Sequence, residues 1–181
     1  ILIMAFFKRF PMMEYDIKDN DNYKLLPNIL RRVKLKAAVA DGQVIFDKYD
    51  VKEGEKPEDV AFKWFGDAEY HWVILMTNNI TDRYYGWPMT EAQFFNYVTD
   101  KYADIDGIHH YEVTKDSGRT TGQGPSDYSH LVEVNSDTDN AITVTNVEYE
   151  RRIQDNLRQI KLLDKKHLRN FVDEFNNLIS E

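Results

Sequence analysis

The sequence is 181 residues long, which corresponds to one domain of ordinary size or two small ones. Its composition, 42% hydrophobic and 30% charged, excludes an intrinsically disordered chain. Acidic residues outnumber basic residues by 31 to 23, and the net charge of −8 argues against nucleic acid and anionic membranes as partners. The chain has no cysteine, which excludes disulfides, thiolate metal sites and cysteine nucleophiles.

The N-terminal region, residues 1–43, is predicted to be an arm followed by a first extended segment. Residues 11–28 are polar and interrupted by Pro11 and Pro27, so we expect them to become ordered only against another surface. Apolar residues in 29–39 fit both helical and strand spacing, and their odd positions favour a strand. No apolar run approaches the roughly 18–20 residues that cross a bilayer, and we expect no export signal.

The region 44–104 has the clearest pattern and is predicted to form a core of strand, helix and helix with a further helix behind it. Pro57 suits the first position of a helix, and Gly66 suits its left-handed C-terminal residue. Asp67 is expected to cap the second helix, which ends near Asn78. A capping-box pattern that begins at Thr90 predicts the third helix.

The remaining chain changes character twice. Short runs rich in β-branched residues predict a small antiparallel sheet within 105–147, interrupted by a glycine-rich mobile loop at 115–127. Helical spacing then returns, so residues 148–181 are predicted to be a helical tail of two helices, the second capped by Asp164. The first of these helices rests on the spacing of Ile153, Leu157, Ile160 and Leu163.

No motif for catalysis or cofactor binding is present in the sequence. Glycine spacing fits neither a P-loop nor a dinucleotide loop, and no pattern places two carboxylates across a cleft. His109 and His110 could ligate a metal, but neighbouring strand residues point to opposite faces, so ordinary histidines are the favoured interpretation. His71 is best interpreted as a packed residue. We therefore predict no catalytic, cofactor or metal residues.

Aromatic residues are concentrated between positions 64 and 87. Trp64 and Trp72 are expected to form core, whereas Tyr84, Tyr85 and Trp87 fall in a predicted loop. Aromatic side chains on loops are typical anchors of interfaces, and their other surface could be a protein or a sugar. We predict these three residues as partner-binding.

The helical tail offers a second candidate surface. Its apolar stripe contains Phe171 and Phe175, which we also predict as partner-binding residues. The stripe could equally pack back on the sheet of its own chain.

Residues 49–66, with the sequence YDVKEGEKPEDVAFKWFG, resemble the first strand, turn and helix of a LysM domain. Asn78 and Asn79 stand where the second helix of that family ends. This resemblance implies, as an alternative function, a carbohydrate-binding module for peptidoglycan or chitin. LysM modules close with a strand, however, whereas residues 84–88 here lead into a predicted helix.

A longer series of motifs is similar to the baseplate wedge protein of T4-type contractile-tailed phages that carries a LysM-like fold. The series comprises EKPEDVA at 55–61, FGD at 65–67, YHWVIL at 70–75, NN at 78–79 and DRYYGWP at 82–88. RQIKLL at 158–163 and FVDEF at 171–175 resemble the end of the same family.

The resemblance implies a structural subunit of the virion tail, without enzymatic activity or cofactor. It implies several copies per particle, assembly in the host bacterial cytoplasm, links between neighbouring wedges and contact with the helical bundle at the wedge core. The predicted fold is α+β, with a LysM-like strand-helix-helix core, an additional small antiparallel sheet and C-terminal helices. A hydrolase with acidic catalytic residues is the third and least favoured function.

Overall fold

A computed structural model describes residues 6–33, 46–115 and 130–180. The chain forms two compact units, Ile1–Pro88 with Leu157–Glu181 and Met89–Asn156. Helices and small antiparallel sheets are both present, which confirms the predicted α+β class. Almost all of the predicted loop at 115–127, and most of the predicted strand at 29–39, lie outside the described residues. The predicted boundaries at 43, 104 and 147 stay predictions.

The first unit begins with a hairpin where the sequence predicted an arm without its own secondary structure. Strand β1 (Met12–Asp16) pairs with β2 (Tyr23–Pro27), and both prolines lie at the ends of the strands and interrupt neither. The Asp16 carboxylate closes the turn by accepting N–H bonds from Lys18, Asn20 and Asp21. The sequence did not predict this hairpin. That residues 11–28 need another surface to become ordered stays a prediction.

The core of this unit starts with β3 (Phe46–Asp50) and α1 (Pro57–Phe65). Pro57 occupies the first turn, and Gly66 ends the helix at a φ of +85°, as the sequence predicts. The Asp67 side chain accepts the Glu69 N–H and begins a 3₁₀ turn, Ala68–Tyr70, which leads into α2 (His71–Thr77). Predicted caps and observed helix ends agree here because each signal acts within a few residues.

The predicted loop at 81–88 contains a helical turn, α3 (Arg83–Gly86). Its N-cap is Asp82, whose carboxylate accepts the N–H groups of Tyr84 and Tyr85. Pro88 prevents the turn from continuing, as expected.

The first predicted tail helix is wrong over its second half. Helix α5 (Asn146–Arg158) ends where β7 (Gln159–Leu163) begins, and β7 pairs antiparallel with β3. Tertiary pairing with a strand about a hundred residues earlier overrides the helical spacing of the apolar residues. Asp164 caps a 3₁₀ turn, Lys165–His167, that continues into α6 (Leu168–Ser180).

Two clusters of buried side chains form the core of the first unit. One joins β3, α1 and α2 to Trp87 and β7, and the other joins the N-terminal Phe10 and Trp72 to α6. The unit therefore depends on chain segments from both ends of the sequence. Whether this strand-helix-helix core is LysM-like in detail stays a prediction.

The second unit contains α4 (Glu91–Lys101) and a three-stranded sheet in the order β5–β4–β6. The capping box of Thr90 and Gln93 is formed as predicted. The strands are β4 (Ile108–Lys115), β5 (His130–Val134) and β6 (Ile142–Thr145), all antiparallel, which confirms the predicted sheet. Helix α5 follows β6. Over the described parts of the chain, no helix is both long enough and apolar enough to cross a membrane.

Candidate protein-interaction surface

Three aromatic side chains of α1 and α3 are largely exposed, and we refer to them together as the aromatic patch: Phe62, Tyr84 and Tyr85. Their exposed fractions are 62%, 85% and 74%. An ion pair between Arg83 of α3 and Glu58 of α1 joins the two helices, with an N–O distance of 2.7 Å. Phe62 lies one helical turn beyond Glu58, on the same face of α1. The patch thus combines side chains from two helices that are held together.

The backbone beneath the two tyrosines is fixed on both sides. Asp82 accepts the Tyr84 N–H at 2.8 Å at the start of α3. At its end, a Cβ on Gly86 would lie 2.8 Å from Cγ2 of Ile80, so only glycine fits this close approach. A rigid support of this kind lowers the entropy that exposed aromatic groups would lose on binding.

Trp87, predicted as a partner-binding residue, lies in the core of its own chain. Its side chain is only 6% exposed, and its indole N–H donates to the Glu55 carbonyl oxygen at 2.8 Å. The donor of a buried tryptophan needs such a partner. Trp87 therefore holds the residues after α3 against the turn before α1.

Glu55 is the polar centre of this support. Its carboxylate accepts hydrogen bonds from Tyr49 Oη at 2.9 Å and from the Lys52 N–H at 2.9 Å, and it also pairs with Lys63. Burial alone would raise the pKa of Glu55, but these bonds outweigh it and hold the pKa below its ordinary value. Burial and the neighbouring Glu55 together raise the pKa of the Tyr49 hydroxyl. At neutral pH the pair is thus a carboxylate and a neutral phenol.

The two predicted tail residues differ in position. Phe175 is only 3% exposed and lies with its ring centroid 4.6 Å from that of Trp72. Phe171 is half-buried and lies 6.2 Å from the same ring. The stripe of α6 therefore packs on its own unit, which is the alternative that the sequence left open, and it leaves part of Phe171 exposed.

The buried acidic residues described in the second unit, Glu112 and Glu150, take part in ion pairs. Glu150 accepts from Lys101 Nζ at 2.6 Å and from Tyr102 Oη at 2.7 Å, and Glu112 binds Arg152 through both carboxylate oxygens. The hydrogen bond to Glu150 raises the pKa of Lys101. Removing one partner of such a pair would leave a buried charge uncompensated, so the members of each pair depend on one another.

The paired histidines take a geometry that the sequence did not predict. The pairing register of β4 and β6 shifts between Ile108 and His110, and the two rings meet, with His109 Nδ1 and His110 Nδ1 2.8 Å apart. The expectation that they point to opposite faces is therefore wrong. His109 also stacks on Tyr149 at 3.9 Å. Across residues 6–33, 46–115 and 130–180, no three ligand-type side chains converge on a possible metal position.

Sequence reasoning missed Phe62, Glu55 and Asn78. Phe62 lies off the apolar stripe of α1, and an apolar residue off the buried stripe is itself a signal of exposure. Asn78 acts on a residue 83 positions later in the chain, which no local pattern marks. The side-chain partners of Glu55 lie three to eight positions away, in the strand, turn and helix around it. Asn78 binds both the N–H and the carbonyl of Lys161, each at 2.8 Å.

The chain matches a known family over most of its length. Residues 2–123 match the model of the family described as base plate wedge protein 53. The chain belongs to this family. It is also 26% identical to baseplate wedge protein gp53 of Enterobacteria phage T4, in an alignment that covers 93% of this chain and 92% of that protein.

Family membership confirms the predicted resemblance and gives the setting of the molecule. The chain is a baseplate wedge protein, a structural component of the phage tail and so of the virion. The match from residue 2 to residue 123 includes all three residues of the aromatic patch.

Proposed function

We propose that this subunit joins other wedge proteins through the aromatic patch, links neighbouring wedges, and contacts the helical bundle at the wedge core. It acts in several copies per particle, is assembled in the host cytoplasm, and catalyses no reaction. The observation that supports this most is the exposure of Tyr84 and Tyr85 on a turn fixed by Asp82, Trp87 and Gly86. Large aromatic groups held in place are the usual anchors of protein interfaces.

The chemistry of the patch suits a protein partner. Tyrosine supplies apolar area together with a hydroxyl that can bond at the rim of an interface, and it loses little rotamer entropy. Among the described residues, the buried carboxylates of Glu112 and Glu150 are both held by basic side chains, as in a structural element. A structural role follows from this combination and from the family.

The test replaces both tyrosines. Tyr84→Ala with Tyr85→Ala removes the exposed rings and leaves Asp82, Trp87 and the core intact. We expect the double variant to fold normally by circular dichroism and to bind purified wedge proteins at least about tenfold more weakly, since two interface anchors are lost. Analytical ultracentrifugation of the mixed wedge proteins measures the association.

Phe95→Ala is the matched control, because Phe95 is an aromatic residue of the second unit that is 53% exposed. We expect this variant to assemble as the wild type does. Normal assembly of the double tyrosine variant would contradict the patch as the anchor. Retention of the wild-type chain on purified peptidoglycan, abolished by chitin oligomers and by the double variant, would instead support the carbohydrate-binding alternative.

A further inference from the structure

An open apolar groove lies in the first unit, and none of the three residues of the aromatic patch lines it. Its volume is about 710 Å³, within the range of pockets that enclose a ligand. Aromatic rings of Phe6, Phe7, Phe10, Trp72 and Phe175 line it. Phe6 packs against both Trp72 and Phe175, at centroid distances of 5.4 and 5.7 Å. These rings form a continuous apolar floor.

Two arginine residues from the N-terminal part of the chain contribute positive charge to the groove. Residues 6–10 and 28–33 flank the hairpin and together contain four basic residues and no acidic one: Lys8, Arg9, Arg31 and Arg32. Arg31 and Arg32 both line the groove. Arg31 donates to the Ile179 carbonyl oxygen at the end of α6, while Arg32 is exposed.

Two acidic residues, Glu58 and Glu69, also line the groove. Glu58 is paired with Arg83, which leaves Glu69 against Arg31 and Arg32. The first unit as a whole has 18 basic and 18 acidic residues, whereas the second unit has 5 basic and 13 acidic residues. The net charge of −8 therefore belongs to the second unit, and an anionic ligand meets a neutral unit with a locally basic rim.

We propose that this groove binds an amphipathic, acidic segment of a partner protein, with large apolar side chains on the aromatic floor and carboxylates toward Arg31 and Arg32. Apolar anchors flanked by charges of the opposite sign are the complement of such a groove. The inference rests on the proposed function only in taking the ligand to be protein. Ile29, which lines the groove and is 67% exposed, is the apolar contact most accessible to that segment.

The probe is a fluorescein-labelled 15-residue helical peptide with Leu and Phe on one stripe and Glu elsewhere. A twin carries Lys at every Glu position, and a third peptide has the same composition with the apolar residues moved off the stripe. Fluorescence polarisation against the full chain should show saturable binding of the acidic peptide alone, weaker by several-fold at 300 mM than at 50 mM salt because screening removes the charge contribution.

Two pairs of variants locate the site. Ile29→Glu should weaken binding at least about tenfold, because it places a carboxylate at the apolar wall. Its control is Leu30→Glu, which should bind as the wild type does. Leu30 is the neighbouring residue, is 82% exposed and does not line the groove. Arg32→Glu should weaken binding similarly, and Lys48→Glu on β3 has the same change in charge and should not.

Several outcomes would overturn the inference. In the first, the acidic peptide does not bind to the chain. In the second, the lysine twin or the permuted peptide binds as tightly as the acidic peptide. In the third, each variant loses no more affinity for the acidic peptide than its control does. Binding to phosphatidylglycerol vesicles without binding to the peptide would assign the groove to lipid and would overturn it too. If the peptide does not bind but the wild-type chain still assembles with wedge proteins, only the inference about the groove is contradicted. If the wild-type chain does not assemble with wedge proteins either, the proposed function is contradicted independently.

Discussion

At the scale of single residues, the first unit depends on side chains whose partners are remote in sequence. Trp87 donates to a carbonyl 32 positions earlier, and the sequence placed it in a loop as a free anchor. Tyr84 and Tyr85 were predicted from the same stretch, and both are exposed. Sequence alone could not tell the buried Trp87 from the two exposed tyrosines. All three are aromatic residues of one short stretch, and the burial of Trp87 depends on the long-range contact with Glu55.

Glu55 allows a direct test of this residue-level account. Glu55→Gln replaces a carboxylate, only 8% exposed, that accepts bonds from Tyr49, Lys52 and Lys63. We expect a loss of about 1–2 kcal/mol in the free energy of unfolding at pH 7, since bonds to a charged acceptor are replaced by weaker ones. Urea unfolding followed by tryptophan fluorescence reports this unit, because Trp64, Trp72 and Trp87 all lie in it.

The effect of Glu55 should also depend on pH. Its pKa is lower in the folded chain than in the unfolded chain, so folding is stabilised by the ionised form. That stabilisation is complete above the unfolded-state pKa of about 4.3 and disappears as the pH falls through the lower folded-state pKa. The wild type and Glu55→Gln should therefore converge in acid, while the exposed control Glu14→Gln matches the wild type throughout. A difference that persists unchanged in acid that protonates the carboxyl group in the folded chain would contradict the account.

At the scale of elements, local signals predicted some segments well and others wrongly. Helix α1 carries its start and end signals within its own residues, and it was predicted to the residue. Residues 159–163 satisfy a helical spacing, yet they form β7, in which alternate residues Ile160 and Leu162 are buried. Their pairing with β3 depends on a strand that local reasoning cannot place. The hairpin β1–β2 was missed because one aspartate supplies its turn.

The outer edge of β7 provides a test at this scale. Asn78 pairs with the Lys161 N–H and carbonyl through its side-chain amide, so it satisfies backbone groups that β3 cannot reach. Asn78→Ala should lower the free energy of unfolding by about 1–2 kcal/mol, because the N–H and the carbonyl of Lys161 each lose one hydrogen bond, while Thr77 still donates to that carbonyl. Asn78→Asp should also destabilise, since it retains the acceptor but has no donor for the Lys161 carbonyl. Urea unfolding by tryptophan fluorescence measures both.

Asn170→Ala is the control for Asn78, since Asn170 is an exposed residue of α6. We expect its stability to be close to that of the wild type. Equal stability of Asn78→Ala and Asn170→Ala would show that β7 does not depend on the amide.

At the scale of the whole molecule, the chain is a baseplate wedge protein built from two units of different charge. All the surplus acidic residues lie in the second unit, and the exposed aromatic patch lies in the first. Composition predicted the net charge but not its division between the units, because a composition does not say where along the chain the charged residues lie.

The measurement that tests the central claim most directly is photo-crosslinking in assembled tails. A benzophenone amino acid at position 84 keeps an aromatic group at the patch, and one at position 95 provides the control. We expect illumination of the intact particle to link position 84 to another tail protein, and position 95 to give no comparable product. Absence of any link from position 84 in particles that contain the chain would contradict a structural subunit that joins its neighbours through the aromatic patch.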